Sequence, residues 1–536
     1  MNARRAARPR RREEGKRFVN STNEFDYIIV GGGSAGCVVA SRLSEDTAVN
    51  VLLIEAGAWD DAPGIHDAGR FRELWGSEYD WSYTTTAQQH LGGRAVPCPR
   101  GRVLGGSGSI NGMLYVRGNP RDFDHWQSLG NKGWGYRDVL PYFLKSEHYD
   151  GPGSEHHAHD GPLAVRQKSA EDSTGTELAF VEAVAQFGFD EPVMDFNGER
   201  QENGAGFHQV TVSPDGTRAS TSTAFLRAAL GRPNLRVATD ALTTRVCFDG
   251  SRARGVQYSR EGQMHEAVAR AEVVLCAGAI DSPKLLMLSG VGRPDALREH
   301  GIDCVADLPG VGRHLQDHLI TGVAYASRTP AEEAAVGEVG LFLSTPWDTG
   351  VAGPDLQFHF FRDLHLGPAS LVGDPGAPGF TIAPTLLQPR SEGQVTLRSA
   401  DPRDPARIDP RFLADEDDAR ALAFGIRMAR ELAHMPAFTP FRGPELAPGP
   451  DAVTSTELKE YIINHVETVF HPVGTCAMGH HSESVVDDQL RVHGVEGLRV
   501  IDASVMPRIV SANTHAATIM IGELGADLVR NGGRAA

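Results

Sequence analysis

Long apolar runs are missing from this sequence. No stretch reaches the ~18 consecutive apolar residues of a membrane-spanning helix, so no membrane span is expected. Cysteine is scarce. The six residues, Cys37, Cys98, Cys247, Cys276, Cys304 and Cys476, include no C-x-x-C pair. Free thiols in a reducing, cytoplasmic compartment fit that pattern best. Basic charge is also short. Lys and Arg number 52 against 69 Asp and Glu, a formal net charge of −17, which argues against nucleic acid as a partner. No H-E-x-x-H and no closed cysteine cluster exists, so no metal site is expected. The histidine-rich "HHAHD" (His156, His157, His159, Asp160) lies between loop-like stretches and reads as solvated. The G-x-S-x-G of a serine hydrolase fails around Ser107, where Ser109 stands in place of the last glycine. The first residues, "MNARRAARPRRREEGKR", are basic and lack the apolar segment of a secretory signal. They also carry Glu13 and Glu14, which a transit peptide would usually lack, so a disordered tail over 1–23 is expected.

What is present is globular: 40% hydrophobic and 23% charged residues. A chain of 536 residues is too long for one simple core, so two intimately joined domains are expected. The stretch "FDYIIVGGGSAGCVVASRL…VNVLLIE" reads as strand, glycine turn, helix and strand. Gly31, Gly33 and Gly36 form G-x-G-x-x-G, and Ser34 opens the helix. Such glycines allow a tight turn and close approach to a pyrophosphate, which the helix N-terminus attracts. Glu55 follows Gly36 by 19 residues, where an acid accepts hydrogen bonds from a ribose. The stretch therefore binds an adenine dinucleotide, without distinguishing flavin from nicotinamide. Further on, "EVVLCAG" and "LRVIDAS" read as buried strands, and "SPKLLMLSG" and "HAATIMIGELGADLVR" as helices. Pro283 is placed at N1 of its helix, where no N–H is needed. Gly278 and Asp502 then fall at strand ends, at the ligand edge of the sheet.

Further motifs carry a resemblance. They are "PRGRVLGGSGSINGMLYVRG" (99–118), "GAIDSPKLLMLSGVG" (278–292), "PGVGRHLQDH" (309–318) and the block opening "HPVGTCAMG". With the first glycine stretch they stand in order, and the chain resembles the glucose–methanol–choline (GMC) oxidoreductases, nearest their choline-dehydrogenase-like subgroup. The likeness runs from about Phe25 to Leu528, broken near 321–380. It implies FAD as cofactor. It also implies an α/β fold: a Rossmann-like, doubly wound FAD-binding domain with an inserted antiparallel-sheet substrate domain. The expected division is a tail (1–23), FAD-binding segments (24–154, 236–320 and 456–536), and substrate-domain segments (155–235 and 321–455). "PDLQFHFF" and "GQVTLRS" are expected in one sheet over the flavin, and the Gly- and Pro-rich 367–380 in a mobile loop near its entrance.

The resemblance also assigns residues. Val103, Gly106, Asn111 and Gly112 join Gly31, Gly33, Ser34, Gly36 and Glu55 around FAD. Val246 touches adenine through its backbone. Asp502 lies near the diphosphate and ribityl chain, and Gly278, Ala503 and Thr514 are further cofactor contacts. His471 matches the active-site histidine, and a neutral imidazole suits removal of a hydroxyl proton. Asn513 matches its partner, with His515 a competitor for that place. Glu338, Phe358 and Phe470 are candidate substrate contacts, Glu338 facing a cation. Some choline-oxidising members carry a flavin-linked histidine where Ile110 stands, so noncovalent FAD is expected. The implied reaction is oxidation of a primary alcohol to an aldehyde, with oxygen, a quinone or another acceptor taking the electrons. A hydroxynitrile-lyase-like member, or a flavin-binding protein without turnover, are the alternatives.

Overall fold

The computed structural model describes residues 23–189, 193–331, 336–347, 353–374 and 376–532. The tail expected over 1–23 therefore lies, but for Asn23, outside the described residues. Among the described residues no helix is long and apolar enough to cross a membrane.

Two sheets organise the chain. In the first, the strand Glu24–Val30 lies parallel between Val51–Ile54 and Gln263–Leu275. Leu235–Ala238 extends it beyond Val51–Ile54, and Leu498–Val500 beyond Gln263–Leu275. Ile28, Ile29, Val51, Leu53, Val273 and Val274 are all fully buried, as strands covered on both faces require. Gln263–Leu275 changes character along its length. Its first half is largely exposed and pairs antiparallel with Arg252–Arg260; its last three residues are buried and pair with parallel neighbours. The glycine-turn helix Ser34–Leu43 packs against the C-terminal helix Thr514–Arg530. Their facing sides are joined by a buried carboxylate: Glu523 accepts from Arg42 Nε at 2.8 Å and pairs with Lys145 Nζ at 3.2 Å.

The helix after Cys276 starts earlier than expected. It spans Gly278–Leu288, so Pro283 sits inside it rather than at N1. Proline there removes the donor for the Ala279 carbonyl. Thr475 supplies the missing proton, its Oγ1 donating to Ala279 O at 2.6 Å.

The second sheet is antiparallel, in the order Arg442–Ala447, Val323–Ser327, Gly379–Leu386, Leu356–Phe361, Val339–Leu343, Gly204–Phe207. The helices Glu416–Ala433 and Gly175–Phe187 cover one face. Strand alternation sends Phe358 and Phe360 into that helical layer and His359 and Phe361 to the other face. Phe358 is therefore a core residue and not a substrate contact. Gly393–Thr396 also departs from expectation. It joins a separate three-stranded sheet with Arg313–Leu315 and Arg407–Asp409.

"HHAHD" is solvated only in part: His159 and Asp160 are exposed. His157 is buried, stacked 4.0 Å from Tyr149, and bonded to Asp195 at 2.8 Å and Glu147 at 3.2 Å. Burial pulls this imidazole down, but the two carboxylates outweigh it and raise it to about 9. No cluster of three metal-ligating side chains occurs among the described residues.

Candidate active site

One large cavity lies between the carboxyl edge of the parallel sheet and the uncovered face of the antiparallel one. Its wall includes the glycine turn, Glu55, Gly106, Asn111, Gly112, Gly278, Asp502, Ala503, Thr514, Glu338, Phe470, His471 and Asn513. Chain segments hundreds of residues apart thus meet at one edge, as expected where strand order reverses.

The glycine turn is held by close packing. A Cβ on Gly36 would stand 1.9 Å from the Gly31 carbonyl oxygen, so the helix seats on the strand only without one. Gly278, with φ +79°, has nothing within 4 Å of such a Cβ, so its backbone faces open space. Two helix N-termini open on this space, at Ser34 and Thr514. Neither has a side-chain cap or an acid in its first turn. Uncapped N–H groups and two positive dipole ends form a ready site for a diphosphate. The residues present fit a bound dinucleotide.

Glu55 accepts the N–H groups of Gly32 and Gly57, each at 2.8 Å. Burial raises its carboxyl to about 7 despite those two bonds. Asp502 is likewise saturated, accepting from Gly278 N at 2.9 Å, Ser282 Oγ at 2.6 Å and Ser504 N at 2.8 Å. Burial raises its carboxyl as well.

Two assigned cofactor contacts lie elsewhere. Val246 is buried behind the cavity wall, its N–H donating to Ser289 Oγ at 2.8 Å; Ala241, Leu242 and Thr243 line the wall instead. Val103 is fully buried, and its carbonyl holds the Gly106 turn through an N–H at 2.8 Å. His515 faces the glycine turn, 3.1 Å from Ser34 Oγ, with its Nε2 buried and unpartnered. Burial lowers this imidazole to about 4.

At the antiparallel sheet, His471 Nε2 lies 3.3 Å from Asn513 Nδ2. The loop carrying His471 is fastened by the "QDH" of 316–318, a signal quoted in the sequence without a role. Gln316 and Val473 exchange backbone bonds. Asp317 accepts from His471 N at 2.8 Å and from Thr468 Oγ1 at 2.5 Å. Thr468 Oγ1 in turn accepts from Phe470 N at 2.8 Å. These bonds, with Arg100 donating to the Phe470 carbonyl, hold Phe470 at φ +67°, a left-handed conformation costly for an aromatic residue. Burial, then His318 and Arg100, hold His471 well below its ordinary value, so its imidazole is neutral.

The rest of the wall is aromatic and charged. Trp75 meets Phe470 edge-on at 5.2 Å, and Phe71 meets Trp75 at 5.5 Å. Glu338 bonds His359 Nδ1 at 2.8 Å; burial works against its charge, but His359 keeps its carboxyl below the usual range. Arg72, also in the wall, pairs with Asp363 at 3.2 Å. Trp75, Arg72 and His359 went unread in the sequence, because nothing local marks a ring or charge as cavity-facing. Of the stretch 367–380, Ser370 O accepts from Leu366 N at 2.8 Å and Pro368 reaches the wall.

The chain matches known proteins over most of its length. The family models for GMC oxidoreductases match residues 25–320 and 389–522. It is 41% identical to the oxygen-dependent choline dehydrogenase of Klebsiella pneumoniae, over 95% of this chain and 96% of that protein. It is 42% identical to that of Pseudomonas aeruginosa, over 95% of each chain. Among solved structures it superposes on pyridoxine 4-oxidase from Mesorbium loti with a TM-score of 0.87 and 33% identity, covering 94% of this chain and 98% of that one. A formate oxidase gives 0.86 and 27%, covering 95% and 99%. Motifs, fold and cavity thus agree with the comparisons: the chain belongs to the GMC oxidoreductase family and is an FAD-dependent oxidoreductase acting on CH–OH donors.

Proposed function

We propose that the chain oxidises a primary alcohol bearing a cationic nitrogen to its aldehyde, with His471 as base and Asn513 holding the reacting oxygen. The observation that carries this reading is one wall shared by the neutral His471–Asn513 pair, the aromatic rings and Glu338. Bound FAD supplies the acceptor for the hydride of the alcohol's α-carbon. His471 Nε2 takes the hydroxyl proton as that hydride leaves, and the Asn513 amide donates to the developing oxyanion. Ile110, in the wall where a flavin-linked histidine occurs in relatives, offers no covalent ligand, so FAD is held noncovalently.

The nitrogen end is read from charge and rings. Glu338 puts a carboxylate in this part of the wall, and the nearby cation, Arg72, is paired with Asp363 at 3.2 Å. Trp75 and Phe470 offer faces for a quaternary ammonium. The choline dehydrogenases that the chain resembles are named for such an alcohol. The test is kcat/KM for choline against 3,3-dimethylbutan-1-ol, which replaces nitrogen by carbon. Choline is expected to win by up to ~30-fold, about 2 kcal/mol for a desolvated cation on aromatic faces, and Glu338→Gln to shrink the ratio. Equal use of the two alcohols by the unaltered enzyme defeats the cation reading. A neutral aryl alcohol then leads, in keeping with the likeness to pyridoxine 4-oxidase.

A further inference from the structure

We infer that His318 sets the tautomer of His471, accepting its Nδ1–H so that the lone pair stands on Nε2, toward the cavity. The inference rests on His471 as the base proposed above. The two Nδ1 atoms lie 3.0 Å apart, with the rings at 87° to one another. Between two neutral imidazoles at this distance there is one proton, carried by one ring or the other.

The far edges of the rings decide which. His471 Nε2 faces the Nδ2 of Asn513 at 3.3 Å. An amide NH2 only donates, so it requires a lone pair on Nε2 and puts the His471 proton on Nδ1. His318 must then accept at its own Nδ1 and carry its proton on Nε2. That edge is fully buried and has no hydrogen-bond partner, so nothing there opposes a proton. The reverse arrangement would set N–H against N–H at Asn513. That mismatch would be buried, where it costs most.

Charge does not compete with this role. Burial lowers His318 to about 3, so it stays neutral and takes no proton from His471. It is a positioning residue, acting through the ring it orients. Asp317 next to it fixes the same ring's backbone, so two consecutive side chains set the place and the proton of one imidazole.

The first measurement is 15N NMR of the holoenzyme labelled at histidine, with the His471 signals identified by their loss in His471→Asn. The expected signature is a protonated Nδ1 and an unprotonated Nε2. A proton found on Nε2 overturns the inference, whatever the catalytic outcome. The second is the rate of flavin reduction in two variants. His318→Asn keeps an acceptor oxygen near the position of Nδ1, and His318→Phe keeps a ring without one. His318→Phe is expected to lose at least tenfold, towards the ~10²–10⁴-fold worth of a positioned base, with FAD content and KM little changed. His318→Asn is expected to stay within about fivefold of the unaltered enzyme. Equal losses in the two variants with FAD retained overturn it. If His318→Phe does not fold, the NMR signature decides alone. If His471→Ala leaves flavin reduction intact, the base assignment fails while the tautomer stands or falls on its own signal.

Discussion

Glu55 shows how one residue can be legible in kind and not in state. Its spacing from the glycines marks it as the ribose acid, but its titration depends on burial, which spacing does not report. Ribose hydroxyls donate to a carboxylate, so a ribose held by Glu55 would need it ionised. With its carboxyl raised to about 7 in the unliganded protein, affinity for FAD should rise with pH by up to about tenfold per unit below 7 and level off above it. Titration of the apoprotein with FAD from pH 5.5 to 8.5 checks this, and Glu55→Gln should flatten the curve. A curve already flat in the unaltered protein removes the ribose role. His471→Ala should keep its FAD and lose about 10²–10⁴-fold in the rate of flavin reduction. Stopped-flow reduction within a few-fold of the unaltered enzyme would end its assignment as base. Val246 and Phe358 mark the limit of reading by residue. Phe358 lies in a correctly read strand, one residue from the cavity-lining His359, and Val246 lies three residues from the cavity-lining Thr243. A step of one residue on a strand reverses the face.

At the scale of elements, hydrophobic patterning was the reliable guide. The strands Glu24–Val30, Leu356–Phe361 and Leu498–Val500 stand where apolar runs and alternation put them. Boundaries set by local rules fared worse. Proline at N1 is a sound preference, yet Pro283 lies within Gly278–Leu288 because Thr475, nearly two hundred residues away, caps the carbonyl that proline leaves free. Thr475→Val should therefore destabilise the protein by ~1–3 kcal/mol, read as a lower melting temperature of the holoenzyme. In a Pro283→Ala background the same change should cost less, since alanine restores a backbone N–H for that carbonyl. Equal costs in both backgrounds would show that the bond does not stand in for the helix's own.

The whole molecule depends on bringing the chain's two ends together. The helices Ser34–Leu43, Tyr136–Ser146 and Thr514–Arg530 converge on Glu523, fully buried between Arg42 and Lys145. Glu523→Ala would take one of two carboxylates from Arg42, which keeps Glu45 at 2.9 Å, and should cost about 1–3 kcal/mol. Thermal unfolding followed by flavin fluorescence would show it, with early FAD release. A melting temperature within a degree or two of the unaltered protein would mean that packing alone joins these helices. What the sequence by itself determined is what lies in short windows: the glycine turn and its acid, the strand and helix patterns, and the family motifs around His471 and Asn513. Those windows carry backbone geometry and local chemistry, which a few consecutive residues suffice to specify. Only the tertiary structure decided that His318 meets His471, that His359 meets Glu338, that Trp75 and Phe470 wall one space, and that His157 is buried. The reason is physical: burial and pairing are properties of what lies across a gap, and the residues across these gaps are brought there by packing rather than by the chain.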